Sequence, residues 1–383
     1  MSVTAASGFR AAGVRAGLKK SGAPDLALVV NDGPLFVAAG VFTANRFKAA
    51  PVLWSQQVLA DGELHAVVLN SGGANACTGS AGFGDTHQTA EHVAEQLGIG
   101  AGDVAVCSTG LIGELLPMPK ILSGVDHAVG ALSTTGGAEA ANAIMTTDSV
   151  PKLAQIDIDG YCIGGVAKGA GMIAPALATM LVVITTDAVL TAEQADIALR
   201  SATGFTFDRI DSDGCMSTND TVLLLASGAS GVTPDIDTFT AALTDVCWDL
   251  ASQIIKDAEG ASKDIAVVVD RARTVDDALE VARAIARSNL LKCAIHGADP
   301  NWGRVLSAVG TTYAVFEPDQ VDVAINGILV ARGGAIGEDR GLVDLSGRKA
   351  EIRVDLHAGS ESATVLTNDL TADYVHENSA YAS

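Results

Sequence analysis

A chain of 383 residues, 48% of them hydrophobic and only 18% charged, has material for a large core and for two domains. Its 45 acidic against 24 basic side chains give a net charge of -21, which repels phosphate backbones and anionic membranes and argues against nucleic-acid or membrane partners. Aromatic residues make up 4% and glycines number 41, so tight backbone packing and turns are expected rather than aromatic-lined clefts.

The opening "MSVTAASGFRAAGVRAGLKKSG" is basic and free of acids, as a transit peptide is, but lacks the apolar centre of a secretory signal; the plain start of a cytoplasmic protein is the preferred reading. Next in the chain, "DLALVV" and "LHAVVLN" predict strands, "THQTAEHVAEQLG" a helix, and "DVAVCST" a third strand. "MLVVITT" predicts a strand, "TAEQADIALRSAT" a helix and "TVLLLAS" another strand. Two longer helices are expected over "DTFTAALTDVCWDLASQIIKDAEG" and "TVDDALEVARAIARSN", separated by the strand "DIAVVVD" and followed by the strand-like "VDVAINGILV". Both helices have apolar residues at i, i+3 and i+4, and acids open them (Asp235 and Asp237; Asp276 and Asp277), as the helix dipole favours. Strands interspersed with helices point to an α/β or α+β sandwich.

The six cysteines (Cys77, Cys107, Cys162, Cys215, Cys247, Cys293) include no C-x-x-C pair, and are expected to be buried thiols of a reducing compartment rather than zinc ligands or disulfides. Neither G-x-x-x-x-G-K-[ST], H-E-x-x-H nor G-x-S-x-G occurs, and the seven histidines are scattered. No metal site or histidine-based triad is expected.

The stretch "KGAGMIAPALATMLVVITTDA", Lys168 to Ala188, raises three readings. Its uncharged part, Gly169 to Ile184, is sixteen residues long and interrupted by Gly171 and Pro175, too short and too broken for a spanning helix. Gly169 to Ala174 fits the dinucleotide fingerprint G-x-G-x-x-G/A, with Asp187 near the distance of a ribose-binding acid, but a β-branched run follows where that fingerprint needs a helix. The third reading concerns Ala178 and Thr179. A threonine at the head of a buried strand after a glycine-rich loop is either an ordinary strand residue or, if the preceding peptide breaks, a hydroxyl beside its own activating amine. The residues alone leave that choice open.

The segment "KGAGMIAPALATML" resembles the self-cleavage segment of the ornithine acetyltransferase family, also called glutamate N-acetyltransferase. Other motifs similar to that family follow the length of the chain: "GFRAAGVRAGLKKSG", "AAGVFTANRFKAAPV", "NSGGANACTG", "CSTGLIGELLPM", "IMTTDSVPK", "DSDGCMSTNDT", "HGADPNWGR" and "YVHENSAYAS". Two details depart from the family pattern: Gly73, where asparagine is common, and the tail "AYAS".

The resemblance implies an α/β (α+β) fold, a layered α/β/β/α-type sandwich with a second α/β domain. It also implies self-cleavage between Ala178 and Thr179 into an α chain (1–178) and a β chain (179–383), paired as a heterotetramer or larger assembly. Thr179 would then carry the acetyl group from N-acetyl-ornithine to glutamate in arginine biosynthesis, with no cofactor. Acetyl-CoA would be a second donor only in a bifunctional member. The matching positions assign the Thr109 hydroxyl and Gly110 N–H to the oxyanion hole. Lys168 would contact a carboxylate or tune the Thr179 amine, and Glu259 would pair with a substrate ammonium or orient the nucleophile. Thr146 (or Thr147), Asn378 and Ser383 would contact substrate, while Asp299 and Arg304 would have a supporting role. An aminopeptidase or amidohydrolase of the same superfamily, a dinucleotide-binding oxidoreductase and a non-enzymatic binding module are the rival readings.

Overall fold

The computed structural model describes residues 2–174 and 180–380. The chain divides into two compact units: Met1–Asp208 with Cys215–Asp257, and Arg209–Gly214 with Ala258–Ala382.

Among the described residues, the strands of the first unit are β1 (Phe9–Val14), β2 (Leu26–Asn31), β3 (Val37–Phe42), β4 (Ala66–Ser71), β5 (Val104–Thr109), β6 (Lys152–Ile158), β7 (Tyr161–Lys168), β8 (Leu181–Thr186) and β9 (Thr221–Ala226). Its helices are α1 (Ala50–Val58), α2 (Gly79–Leu97), α3 (Met118–Gly130), α4 (Gly137–Ile144), α5 (Ala192–Phe205) and α6 (Ile236–Lys256). One sheet has the order β1-β2-β4-β5 and the other β3-β9-β8-β7-β6. The alternation of side chains along each strand fills two separate cores. Ala27, Val29, Val67 and Leu69 face Val166, Val183, Leu223 and Leu225 of the other sheet. Leu28, Val30, Val68 and Val106 point the opposite way, against Val93 of α2 and Val125 of α3. With α5 and α6 packed on β3, β6 and β7, the layers run helix, sheet, sheet, helix. This is the expected α/β/β/α sandwich.

The second unit contains β10 (Asp264–Ala272), β11 (Asp322–Ile325), β12 (Ile328–Arg332), β13 (Ala335–Ile336), β14 (Lys349–Asp355) and β15 (Glu361–Asn368), with α7 (Val275–Ala286), α8 (Asn289–His296), α9 (Trp302–Val309) and α10 (Ala372–Ala380). Its sheet order is β13-β12-β11-β14-β10-β15. Val267, Val269, Val354 and Val365 on one face pack against Val281, Ile285 and Val305 of α7 and α9. It is the second α/β domain.

Helix starts follow local chemistry. Thr191 and Gln194 form a capping box for α5, Asp235 accepts from the Thr238 N–H at the head of α6, and Thr274 caps α7. Helix α6 stops at Lys256, earlier than the "DAEG" end expected, because the Asp257 carboxylate turns to Ser149 and Lys152. The thiols need a correction too. Cys107, Cys162 and Cys247 are buried, but Cys77, Cys215 and Cys293 are exposed. Cys77 occupies a left-handed loop position (φ 57°), and Cys293 faces outward from α8, whose neighbouring Lys292 and Ala294 are buried.

Candidate active site

The first unit gathers sequence motifs at the ends of β4, β5 and β7 and at the head of β9. Strands β4 and β5 run parallel, and the chain leaves β5 through Thr109 and Gly110. The Thr109 carbonyl accepts the Gly72 N–H at 2.9 Å and the Gly73 N–H at 3.1 Å. Asn219 binds from below, its Nδ2 donating to the Ala74 carbonyl (2.6 Å) and the Ser108 carbonyl (2.8 Å). Ser108 donates to Asn70, whose amide donates to the Gly73 carbonyl. Thus "NSGGANA", "CSTG" and "STNDT" form one hydrogen-bonded platform. Gly110 has φ 130°, and a Cβ there would lie 2.6 Å from the Gly73 nitrogen. The backbones approach too closely for any other residue.

On this platform the Thr109 side chain is 1% exposed, and the Lys168 Nζ donates to its Oγ1 at 3.2 Å. An ammonium has only donors, so the hydroxyl accepts in that bond and its own proton is turned elsewhere. Among the described residues nothing accepts that proton, and no carbonyl accepts the Gly110 N–H.

Asp148 ties the cluster together. Its Oδ1 accepts from Lys152 Nζ (2.5 Å) and the Gly169 N–H (2.7 Å), and its Oδ2 accepts from the Thr146 N–H (2.8 Å). Lys152 is fully buried and also donates to Asp257 at 2.5 Å. Burial alone would raise the Asp148 carboxyl, but the charges of Lys168 and Lys152 and the hydrogen bonds of Lys152 and Thr146 hold it down at about 2. Asp148→Asn is therefore expected to destabilise the protein by about 3 kcal/mol, the low end for breaking a buried pair because Lys152 keeps Asp257. The shift in the midpoint of urea unfolding measures it. The sign with pH follows: a depressed carboxyl stabilises fully above its ordinary value near 3.8, and this contribution is lost as pH falls to about 2.

Thr109, Gly110, Thr146 and Lys168 thus come together in the first unit. In the second unit, Asn378 of α10 donates to the Glu259 carboxylate at 2.9 Å. Gly260 (φ 61°) lets α10 approach, since a Cβ there would lie 2.2 Å from the Tyr374 nitrogen. Ala178, Thr179 and Ser383 lie outside the described residues. Asp299 and Arg304 brace α9: Asp299 accepts from Asn301, which caps the helix, and Arg304 donates to the Leu290 carbonyl. They serve local structure.

The rival readings find less support. After Gly169–Ala174 the next described element is strand β8 and not a helix, and Asp187 spends its carboxylate on the Ser7 and Cys162 N–H groups. Among the described residues no dinucleotide loop is built there. Ser262 and Asp369 both meet Nδ1 of His296, which is not how a triad divides the ring. Among the described residues no group of three His, Cys, Asp or Glu side chains is placed to hold a metal ion, and no helix is long and apolar enough to cross a membrane.

Sequence reasoning passed over Asp148, Lys152, Asn219 and Asp220. Each lies in a motif singled out above or beside one, and Asp220 carries a further signal, a charge directly against the apolar run of β9.

A double-sheet α/β fold here gathers a buried hydroxyl, an ammonium and carboxylates at one sheet end, groups suited to an enzyme of group transfer. The ArgJ family model matches residues 10–383. The arginine biosynthesis bifunctional protein ArgJ of Streptomyces coelicolor is 68% identical over 383 residues, covering 100% of both chains. Its counterpart in Thermobifida fusca is 64% identical over the same length, again 100% of both. Among solved structures, ornithine acetyltransferase complexed with ornithine from Mycobacterium tuberculosis is 61% identical, matching 47% of this chain and 96% of that one with a TM-score of 0.45. The chain belongs to the ArgJ family, acetyltransferases of arginine biosynthesis.

Proposed function

We propose that this chain moves the acetyl group of N-acetyl-ornithine to glutamate through an acetyl ester on Thr179, after cutting itself between Ala178 and Thr179. The Thr179 Oγ attacks the acetyl carbonyl, its proton passing to the freed α-amine and then to the departing ornithine nitrogen. The glutamate amine attacks the ester in turn and leaves as N-acetylglutamate. A covalent carrier splits one difficult transfer into two easier ones.

One observation carries the reading: two adjacent donors, the Thr109 hydroxyl and the Gly110 N–H, have no acceptor among the described residues. Such a pair suits the oxyanion of each tetrahedral intermediate. Lys168 orients the hydroxyl and, as a nearby positive charge, favours a neutral and therefore basic Thr179 amine. Thr146, Glu259, Asn378 and Ser383 are the proposed substrate contacts, with Glu259 offering a carboxylate to the substrate ammonium. The two products of cleavage, 1–178 and 179–383, stay paired in a heterotetramer or larger assembly in the cytoplasm. The relatives are named bifunctional. Acetyl-CoA is a second donor here only if this chain shares that property, and acetyl-ornithine is the preferred one.

The test is kinetic. With no added cofactor, varying both substrates is expected to give parallel double-reciprocal initial-rate lines. Intersecting lines would require direct transfer in a ternary complex and overturn the covalent scheme.

A further inference from the structure

The second unit holds a cluster of buried polar side chains that no step above uses. Glu259 opens a short turn, 259–263, ahead of β10, and the connection from β15 to α10, residues 369–371, grips that turn. Asp369 Oδ1 accepts the Ser262 N–H at 2.9 Å and the Lys263 N–H at 2.8 Å, and its Oδ2 accepts the Ser262 hydroxyl. From α8, Nδ1 of His296 meets the same Oδ2 at 2.8 Å. Two residues on, the Thr371 hydroxyl donates to the Gly260 carbonyl at 2.7 Å and accepts the Tyr374 N–H at 3.0 Å in the first turn of α10. Asp369 and Thr371 are both buried. Burial alone would raise the Asp369 carboxyl, but the hydrogen bonds of Ser262, Lys263 and His296 hold it below the ordinary range, so both oxygens stay acceptors.

A buried carboxylate is a costly acceptor for a turn that water or a carbonyl could close. What these bonds share is their target. Each falls on a residue between Gly260 and Lys263, and each starts from the chain that leads directly into α10, whose Asn378 donates to Glu259 Oε2 at 2.9 Å. Gly260 lies in the left-handed region (φ 61°), and a Cβ there would lie 2.2 Å from the Tyr374 nitrogen, so turn and helix meet backbone to backbone. The two therefore hold together as one piece, with the Glu259 carboxylate and the Asn378 amide at a fixed spacing.

We propose that Asp369 and Thr371 are positioning residues for the substrate: they clasp the Gly260–Lys263 turn to the root of α10, so that the Glu259 carboxylate stands beside Asn378 before the substrate ammonium arrives. The inference rests on the proposed role of Glu259 as a substrate contact. Neither residue touches substrate in this arrangement, and no bond is made or broken through them. Their contribution is to affinity. The ammonium that N-acetyl-ornithine keeps lies away from its acetyl carbonyl, so a contact to it counts equally before and during transfer. Its loss raises KM and leaves kcat.

Thr371→Val keeps the shape of the side chain and removes the hydroxyl. It is expected to raise KM for N-acetyl-ornithine about tenfold at a little-changed kcat, while Thr371→Ser restores the wild-type KM. An unchanged KM overturns the proposal, and so does a fall in kcat and melting temperature without the rise in KM. A double-mutant cycle with Glu259→Gln separates positioning from general loosening. If Thr371 acts through Glu259, adding Thr371→Val to Glu259→Gln raises KM little further, whereas fully additive effects overturn the proposal. Should Thr371→Val fail to fold, Ser262→Ala takes its place in the same cycle, since it removes one bond to Asp369 from the exposed side of the turn. A several-fold rise in KM is expected there, and an unchanged or additive KM overturns the proposal. Glu259→Gln alone separates the two claims. An unchanged KM in that variant sinks the substrate contact and this inference with it, whereas a raised KM beside an unaffected Thr371→Val sinks this inference alone.

Discussion

Thr179→Ala is expected to remain one chain of 383 residues and to transfer no acetyl group. One hydroxyl is asked to do two things in succession. In the proposed scheme it attacks the Ala178 carbonyl of the precursor, and the acyl shift that follows ends in hydrolysis and a free amine. In that scheme the same oxygen then takes the acetyl group in the mature enzyme, with that amine as its base. Methyl substitution removes the oxygen from both steps, so activity and cleavage disappear together. Denaturing electrophoresis and intact mass read the first loss, and release of ornithine the second. A Thr179→Ala protein that still splits at the same bond would show that another group makes the cut.

The second large effect is expected at Thr109. Removing one oxyanion donor typically costs on the order of 10²–10³ in rate, and Thr109→Ala is expected to lose turnover in that range with KM little changed. The geometry gives the reason. Lys168 holds the hydroxyl oxygen from one side at 3.2 Å, so the proton of Thr109 is already turned outward before substrate arrives. Preorganised in this way, the donor needs no rearrangement when charge develops. Cleavage is expected to slow as well, because its own tetrahedral intermediate needs the same donors. Fully processed Thr109→Ala turning over at the wild-type rate would move the oxyanion hole elsewhere.

Much of the fold is legible because the central strands leave little choice. "LALVVN", "AVVLNS", "LVVITT" and "TVLLLA" are nearly unbroken apolar runs, and every residue in them is buried. Strand β7 hides its nature behind Gly164 and Gly165. A Cβ at Gly164 would lie 2.0 Å from the Ser2 carbonyl, so a long-range approach, invisible in the local pattern, dictates that glycine. Helix α4, "GAEAANAI", has small side chains because it lies close against β1, where a Cβ on Gly13 would meet the Glu139 carbonyl at 1.9 Å. Its alanines favour a helix, but its eight residues are mostly small and mark no distinct apolar face, and no element is expected there from the sequence.

The site divides similarly. Thr109, Gly110, Thr146 and Lys168 entered through resemblance of whole motifs, since each alone reads as a strand end, a turn or a surface charge. Asp148 and Asp220 escaped notice because their importance lies in partners far along the chain: Asp148 in Gly169, Asp220 in Met180. Single-residue chemistry cannot supply those pairings. What the sequence does offer is a charge set hard against a fully apolar run, true of Lys168 and Asp220 alike.

The measurement that bears most directly on the account is peptide mass after incubation with N-acetyl-ornithine alone. The account predicts one acetyl group on the chain beginning at Thr179, located on that residue, appearing together with an equivalent of ornithine. It further predicts that added glutamate removes the group as N-acetylglutamate faster than water does. A processed, active enzyme on which no acetyl-Thr179 forms under these conditions, and which releases ornithine only once glutamate is present, would contradict it.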